Sequence, residues 1–188
     1  MTPSNRVRVL FDEATIARRN DEIAASIAAL NSPDLLVVAV LKGSFMFAAD
    51  LIRAMHRTGL APEVEFIHLS SYRGGTVSSG QVTILRDVEG NVRGRDILLV
   101  DDILESGRTL AFAKDLLMAR GARRVLAAVL LEKGNKRAVE VGADFVGFPC
   151  PDVFVVGYGM DIAHQYRQLP FVGVVAHGDS EPDLFGGT

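Results

Sequence analysis

The run Ile97-Leu98-Leu99-Val100-Asp101-Asp102-Ile103-Leu104-Glu105-Ser106-Gly107-Arg108-Thr109-Leu110 holds the densest chemistry in the chain. Four apolar residues that close on two carboxylates read as a strand buried on both faces and ending at Asp101-Asp102. Leu110, Ala113 and Leu117 then recur at helical spacing, and Gly121 stands where a left-handed cap closes a helix. A short glycine-bearing turn joins the two. Amides opening such a helix lack partners within it, and the helix dipole favours an anion there. Ser106 and Thr109 add hydroxyl donors, while Gly107 lets a phosphate approach the main chain. The turn therefore reads as a phosphate cradle. Carboxylates repel phosphate, so Asp101 and Asp102 must serve another part of the same ligand, such as sugar hydroxyls or a metal ion.

The surrounding elements repeat this arrangement. Leu35 to Leu41 is a continuous apolar run of strand length, followed by Lys42-Gly43-Ser44 and a helical stretch from Phe45 to Met55 that closes near Gly59. Val125 to Leu131 is a third all-apolar run, ending in Glu132-Lys133-Gly134. In a parallel sheet such strand ends gather on one edge, where ligands bind. Lys133 would then face the ligand with an ammonium that only donates, which suits an oxo group on the ligand and disfavours an amino group. Taken alone, Lys42 is as well explained by snorkelling from a strand end, and Phe154 by burial in a core. Lys136 and Arg137 read as a solvated basic face.

Further strands are expected at residues 6–10, around Val64 to Leu69, at Gln81 to Leu85, Asp144 to Pro149, Phe154 to Tyr158 and Leu169 to Ala176. Asp12 caps a helix whose Ile16, Ile23, Ile27 and Leu30 share a face. Arg73 to Gly80 is rich in Gly, Ser and Thr, with few apolar anchors, and reads as a mobile loop; residues 178–188 read as a polar tail.

Bulk properties bound the class. The 188 residues, 48% hydrophobic, suffice for one α/β domain spanning 1–188. No apolar run approaches the roughly 20 residues of a membrane helix, and residues 1–10 lack the pattern of a secretory leader. One cysteine, Cys150, suits a reducing compartment and reads as inert between its prolines. A net charge of −3 leaves no electrostatic footprint for nucleic acid. The four histidines show no ligand spacing. A cytoplasmic protein without membrane or nucleic-acid partners is expected.

Five motifs, in order from about Leu35 to Arg167, together resemble the type I phosphoribosyltransferases, in the version found in the hypoxanthine-guanine enzymes. The motifs are Leu41-Lys42-Gly43, Ser71-Tyr72, Val100 to Leu110, Leu130 to Lys133, and Asp144 to Asp161 with Arg167. The resemblance implies an α/β fold with a central, mostly parallel sheet flanked by helices and a small hood built from terminal segments. It implies transfer of phosphoribosyl from phosphoribosyl pyrophosphate (PRPP) to hypoxanthine or guanine, with magnesium, in a homodimer or homotetramer. Asp101 and Asp102 would hold the ribose hydroxyls, and Glu105, Ser106, Gly107, Arg108 and Thr109 the 5′-phosphate. Lys42, Gly43 and Arg167 would bind pyrophosphate, after a peptide that is often cis before the lysine, and Ser71 and Tyr72 would close as a lid. Lys133, Phe154, Val155 and Asp161 would bind the purine, with Asp161 also holding the metal. The family usually has aspartate as the catalytic base, whereas this chain has Glu105. A PRPP-sensing regulatory protein of the same fold is the nearest rival, though no basic surface or added DNA-binding helix pair is visible. A magnesium-binding receiver domain around Asp101 and Asp102 would leave Lys133 and Phe154 to Asp161 unexplained.

Overall fold

The structure, a computed structural model, describes residues 7–71, 82–134 and 136–175. The loop expected at 73–80, His177 and the tail expected at 178–188 lie outside the described residues. Elements follow in the order β1 (Val7–Phe11), α1 (Glu13–Ala28), β2 (Leu35–Leu41), α2 (Phe45–Arg57), β3 (Glu63–Ser71), β4 (Val82–Arg86), β5 (Asp96–Leu104), α3 (Arg108–Ala119), β6 (Arg124–Glu132), β7 (Phe145–Pro149), β8 (Val155–Val156) and β9 (Val172–Val175).

Among the described residues, six strands form the main sheet in the order β4-β3-β2-β5-β6-β7. Pairings from β3 through β7 are parallel, and β4 joins β3 antiparallel at one edge. Both faces are covered, which is why β2 and β5 read as unbroken apolar runs rather than alternating ones. Leu35, Val37, Ala39, Leu98 and Val100 pack on the face covered by α1 and α2. Leu36, Val38, Val40, Ile97 and Leu99 pack on the other face with Leu110, Ala113 and Leu117 of α3. The helix periodicities thus mark these buried stripes.

Local chemistry sets the helix ends. Asp12 caps α1 by accepting from the Thr15 amide at 2.7 Å. Gly107 caps α3 at φ +81°, and Gly121 follows its C-terminus at φ +90°. A side chain at Gly107 would press on Val141 and on the Val139 carbonyl, so this glycine is required by backbone conformation and by packing of residues 137–141. At the opposite end of the sheet, Asp96 is buried under Arg123, Ser32 and Arg124, and the Arg123 guanidinium above all holds its carboxyl well below the usual range.

A second, antiparallel sheet in the order β1-β9-β8 joins the two ends of the described chain. It meets β7 where the rings of Phe11 and Phe148 stack at 4.3 Å. Several boundaries differ from expectation: β8 holds only Val155–Val156 of the strand expected from Phe154, and β9 begins at Val172 rather than at Leu169. Strand β5 does not stop at the acidic pair but pairs with β6 through Ile103 and Leu104. Main-chain hydrogen bonding carries a strand past the point where its side chains turn polar.

Candidate active site

The carboxyl ends of β2, β5 and β6 open into a cavity of about 710 Å³. Its walls include Lys42, Gly43, Asp102, Glu105, Ser106, Lys133, Phe154, Val155, Asp161 and Arg167, which are expected site residues from all three strand ends and from the segment after β7. Asp101, Gly107, Arg108 and Thr109 are not among the wall residues. Asp101 is buried beneath the floor, and the last two already belong to α3. Ser71 closes β3, whereas Tyr72 lies outside the described residues.

Close backbone packing builds the corner where β2 ends. The Leu41–Lys42 peptide is cis. A Cβ on Gly43 would overlap the Asp102 carboxylate, and a Cβ on Gly159, whose φ is +99°, would overlap the Gly43 carbonyl. Only glycine fits at both positions, so the turn after β2, the acid of β5 and the bend at 157–161 are packed against one another. Beside this corner the fork of Arg167 reaches the Gly159 carbonyl at 2.6 Å and Asp161 Oδ1 at 2.8 Å. The other Asp161 oxygen accepts from the His164 amide at 2.8 Å.

The opposite wall is set by β6. Lys133 is 7% exposed, and its amide donates to the Leu104 carbonyl at 2.9 Å. Its ammonium lies 3.6 Å from Glu105 Oε1. Lys136 approaches the same oxygen at 3.8 Å and pairs with Asp152 at 2.8 Å. Lys136 is solvated as expected, yet it borders the cavity, whereas Arg137 is partly buried and paired to Glu132 at 2.8 Å. The amides of Ala138 and Val139 donate to the Ser106 carbonyl, so the segment after β6 folds back onto the turn after β5. Asp152, His68 and Met160 are further wall residues that no spacing in the sequence singles out. Phe154 is 49% exposed on the wall, just ahead of the buried Val155 and Val156. Burial pushes the Cys150 thiol up, away from the reactive thiolate.

Burial dominates the floor. It raises the Asp101 carboxyl well above the ordinary aspartate range, with the neighbouring Asp102 charge adding to the effect, and it raises Asp102 as well. Among the described residues no group of three or more His, Cys, Asp or Glu converges as a metal cage. Carboxylates placed singly around a cavity suit an ion that keeps water and draws further oxygen ligands from a bound phosphate, as magnesium does. Asp161 and Asp102, both on the wall, fit that requirement.

A sheet of this order, with a glycine-bearing turn after β5 and acids and cations around one cavity at its carboxyl edge, is that of a nucleotide-handling α/β protein. Residues 9–163 match the phosphoribosyl transferase domain family, and the chain belongs to that family. The hypoxanthine-guanine phosphoribosyltransferase of Streptococcus agalactiae is 41% identical over 169 residues, spanning 89% of this chain and 92% of that one. The hypoxanthine phosphoribosyltransferase of Escherichia coli is 40% identical over 172 residues, spanning 90% and 95%. The crystal structure of a hypoxanthine phosphoribosyltransferase from Staphylococcus aureus superposes with a TM-score of 0.86 at 36% identity, covering 92% and 94%.

The buried acid beneath the floor has a testable consequence for stability. The folded protein holds the Asp101 proton more tightly than the unfolded chain does, so the penalty is absent below the ordinary value of about 3.9 and grows as pH rises towards the folded value. Asp101→Asn retains the acceptor that the Asp102 amide uses at 2.9 Å. The variant is expected to melt at higher temperature than the parent at pH 7, with the gap closing towards pH 4. Thermal unfolding across that range checks it, and a variant less stable at pH 7 would contradict it.

Proposed function

We propose that the protein transfers the 5-phosphoribosyl group from PRPP to hypoxanthine and guanine, releasing pyrophosphate and giving the 6-oxo purine nucleotides. The carrying observation is the wall on which Lys133, a buried ammonium that only donates, stands 3.6 Å from Glu105 in the same cavity as Phe154. A donor-only group accepts O6 of a 6-oxo purine as partner and leaves a 6-amino group without one, and in a buried site the missing hydrogen bond is costly.

In this reading Phe154 stacks on the purine, the Val155 backbone and Asp161 meet its pyrimidine edge, and Asp101 and Asp102 take the ribose hydroxyls. The turn 105–109 binds the 5′-phosphate, while Lys42, Gly43 and Arg167 bind pyrophosphate. As purine N9 bonds to the anomeric carbon, the bond from that carbon to the pyrophosphate oxygen breaks, and the imidazole proton passes to Glu105. Lys42 and Arg167 stabilise the charge that develops on the leaving group. Glutamate carries its carboxylate roughly one ångström further than aspartate, a displacement that can matter on the order of a hundredfold. Lys133 and Lys136 flank that carboxylate and support its retention of the base role. Magnesium held by Asp161 would supply further neutralisation of the phosphate charge. Ser71 and Tyr72 are assigned to a lid that excludes water.

The sheet β1-β9-β8 serves as the hood of a single domain, since it is continuous with Phe154 and Val155. Assembly as a homodimer or homotetramer and a cytoplasmic setting complete the proposal. Among the described residues no helix is long and apolar enough to cross a membrane.

A steady-state assay across purine bases tests this directly. Hypoxanthine and guanine should be converted with PRPP, and adenine at less than about one hundredth of their kcat/KM, since an unpaired buried donor costs about 3 kcal/mol. Efficient adenine turnover would overturn the Lys133 assignment, and PRPP binding without turnover would favour the sensor. Glu105→Gln should lower kcat by roughly 10²-fold or more with little change in KM, within the range of lost general-base catalysis. Unchanged turnover would remove Glu105 from the mechanism.

A further inference from the structure

Tyr158 is buried, lies outside the site described above, and makes two side-chain hydrogen bonds to distant elements. Its hydroxyl donates to Asp50 Oδ2 of α2 at 2.7 Å and accepts from Asn20 Nδ2 of α1 at 2.9 Å. Its backbone is the middle of three consecutive left-handed residues, with φ of +92° at Gly157, +48° at Tyr158 and +99° at Gly159. Glycine adopts this conformation freely; tyrosine does so only where its surroundings enforce it. The Tyr158 amide donates to the Leu169 carbonyl and the Gly159 amide to the Arg167 carbonyl, at 2.9 and 3.0 Å, which completes the bend.

The hydroxyl ties the bend at 157–159 to α1 and to α2, the helix that follows the Lys42-Gly43 turn at one corner of the cavity, although neither partner lines the cavity itself. Helix α2 begins three residues after Lys42, and the bend runs directly into Asp161 and supports the Arg167 fork. Between them Gly159 packs on Gly43 with no room for a Cβ. Lys133 and Glu105, at the purine end, stand just after β6 and β5 and make no hydrogen bond to Tyr158, Asp50 or Asn20 among the described residues.

We propose that Tyr158, through Asp50 and Asn20, is a positioning residue that sets the spacing between the Lys42-Gly43 turn and the Asp161–Arg167 bend, and so governs capture of the pyrophosphate end of PRPP far more than that of the purine, which it reaches only through Asp161. The proposal rests on the reading of this cavity as a PRPP site. Burial and the Asp50 carboxylate push the Tyr158 hydroxyl far above its ordinary range, so it remains a donor at every pH the protein meets. A phenylalanine would fill the same space while releasing both partners.

The test is the KM for PRPP against the KM for hypoxanthine in Tyr158→Phe, Asp50→Leu and Asp50→Asn, each measured well below its own unfolding temperature. Tyr158→Phe and Asp50→Leu should raise the KM for PRPP about tenfold, the scale expected of a sub-ångström misplacement, and leave that for hypoxanthine within about twofold. Asp50→Asn keeps an acceptor for the hydroxyl and should restore near-parental values. Ser32→Ala, at the far end of the sheet on Asp96, controls for instability alone and should not separate the two constants. Equal shifts in both constants, no shift, or failure of Asp50→Asn to differ from Asp50→Leu would overturn the proposal. Absence of turnover in the parent protein would instead overturn the function on which it rests.

Discussion

The cavity depends on the absence of a side chain at Gly43. Its backbone is wedged between the Asp102 carboxylate and Gly159, and the space that any other residue would need is already filled. This close approach fixes β2, β5 and the bend before Asp161 at one corner. Covalent chain order could not do so, because these elements are separated by tens of residues. Interiors packed this tightly transmit small displacements, so a single Cβ at Gly43 or Gly159 would move a carboxylate, a lysine-bearing turn and an arginine fork together.

Charge is arranged around that corner in a way that folding alone would not favour. Asp101 is buried beside Asp102, which is half-buried on the cavity wall, and the loss of water around them raises both carboxyls. By contrast, Asp96 at the opposite end of the same strand is held ionised by arginines and contributes to stability. One strand thus carries a stabilising acid at its start and costly acids at its end, the pattern expected where a ligand supplies the missing partners. The cations Lys42, Lys133, Lys136 and Arg167 stand around the same cavity.

Much of this was legible in the residue pattern. Leu35–Leu41 reads as a strand and is one to the residue, because a central parallel strand covered on both faces must be apolar throughout. The turns after β2, β5 and β6 fall on one edge for the topological reason that parallel strands share a direction, which places Lys42, Asp102 and Lys133 around one cavity. The individual roles came from likeness to a family; spacing alone left Lys42 and Phe154 ambiguous. Other features arise only through tertiary contact. Lys136 comes to border the cavity because residues 138 and 139 donate to Ser106, and β5 outlasts its apolar run because β6 continues to pair with it. The Gly157-Tyr158-Gly159 bend is visible locally, yet its partners Asn20 and Asp50 lie 138 and 108 residues away in sequence.

In the proposed binding mode a sugar phosphate is gripped by the turn after β5 while a purine rests on the wall formed by Lys133 and Phe154. A crystal structure of the protein with inosine monophosphate tests that placement directly. The phosphate should sit on the amides of residues 106–109, with O6 of the base within hydrogen-bonding distance of Lys133 Nζ and the Phe154 ring against the purine plane. A nucleotide bound with its phosphate elsewhere, or with the base turned away from Lys133, would contradict it.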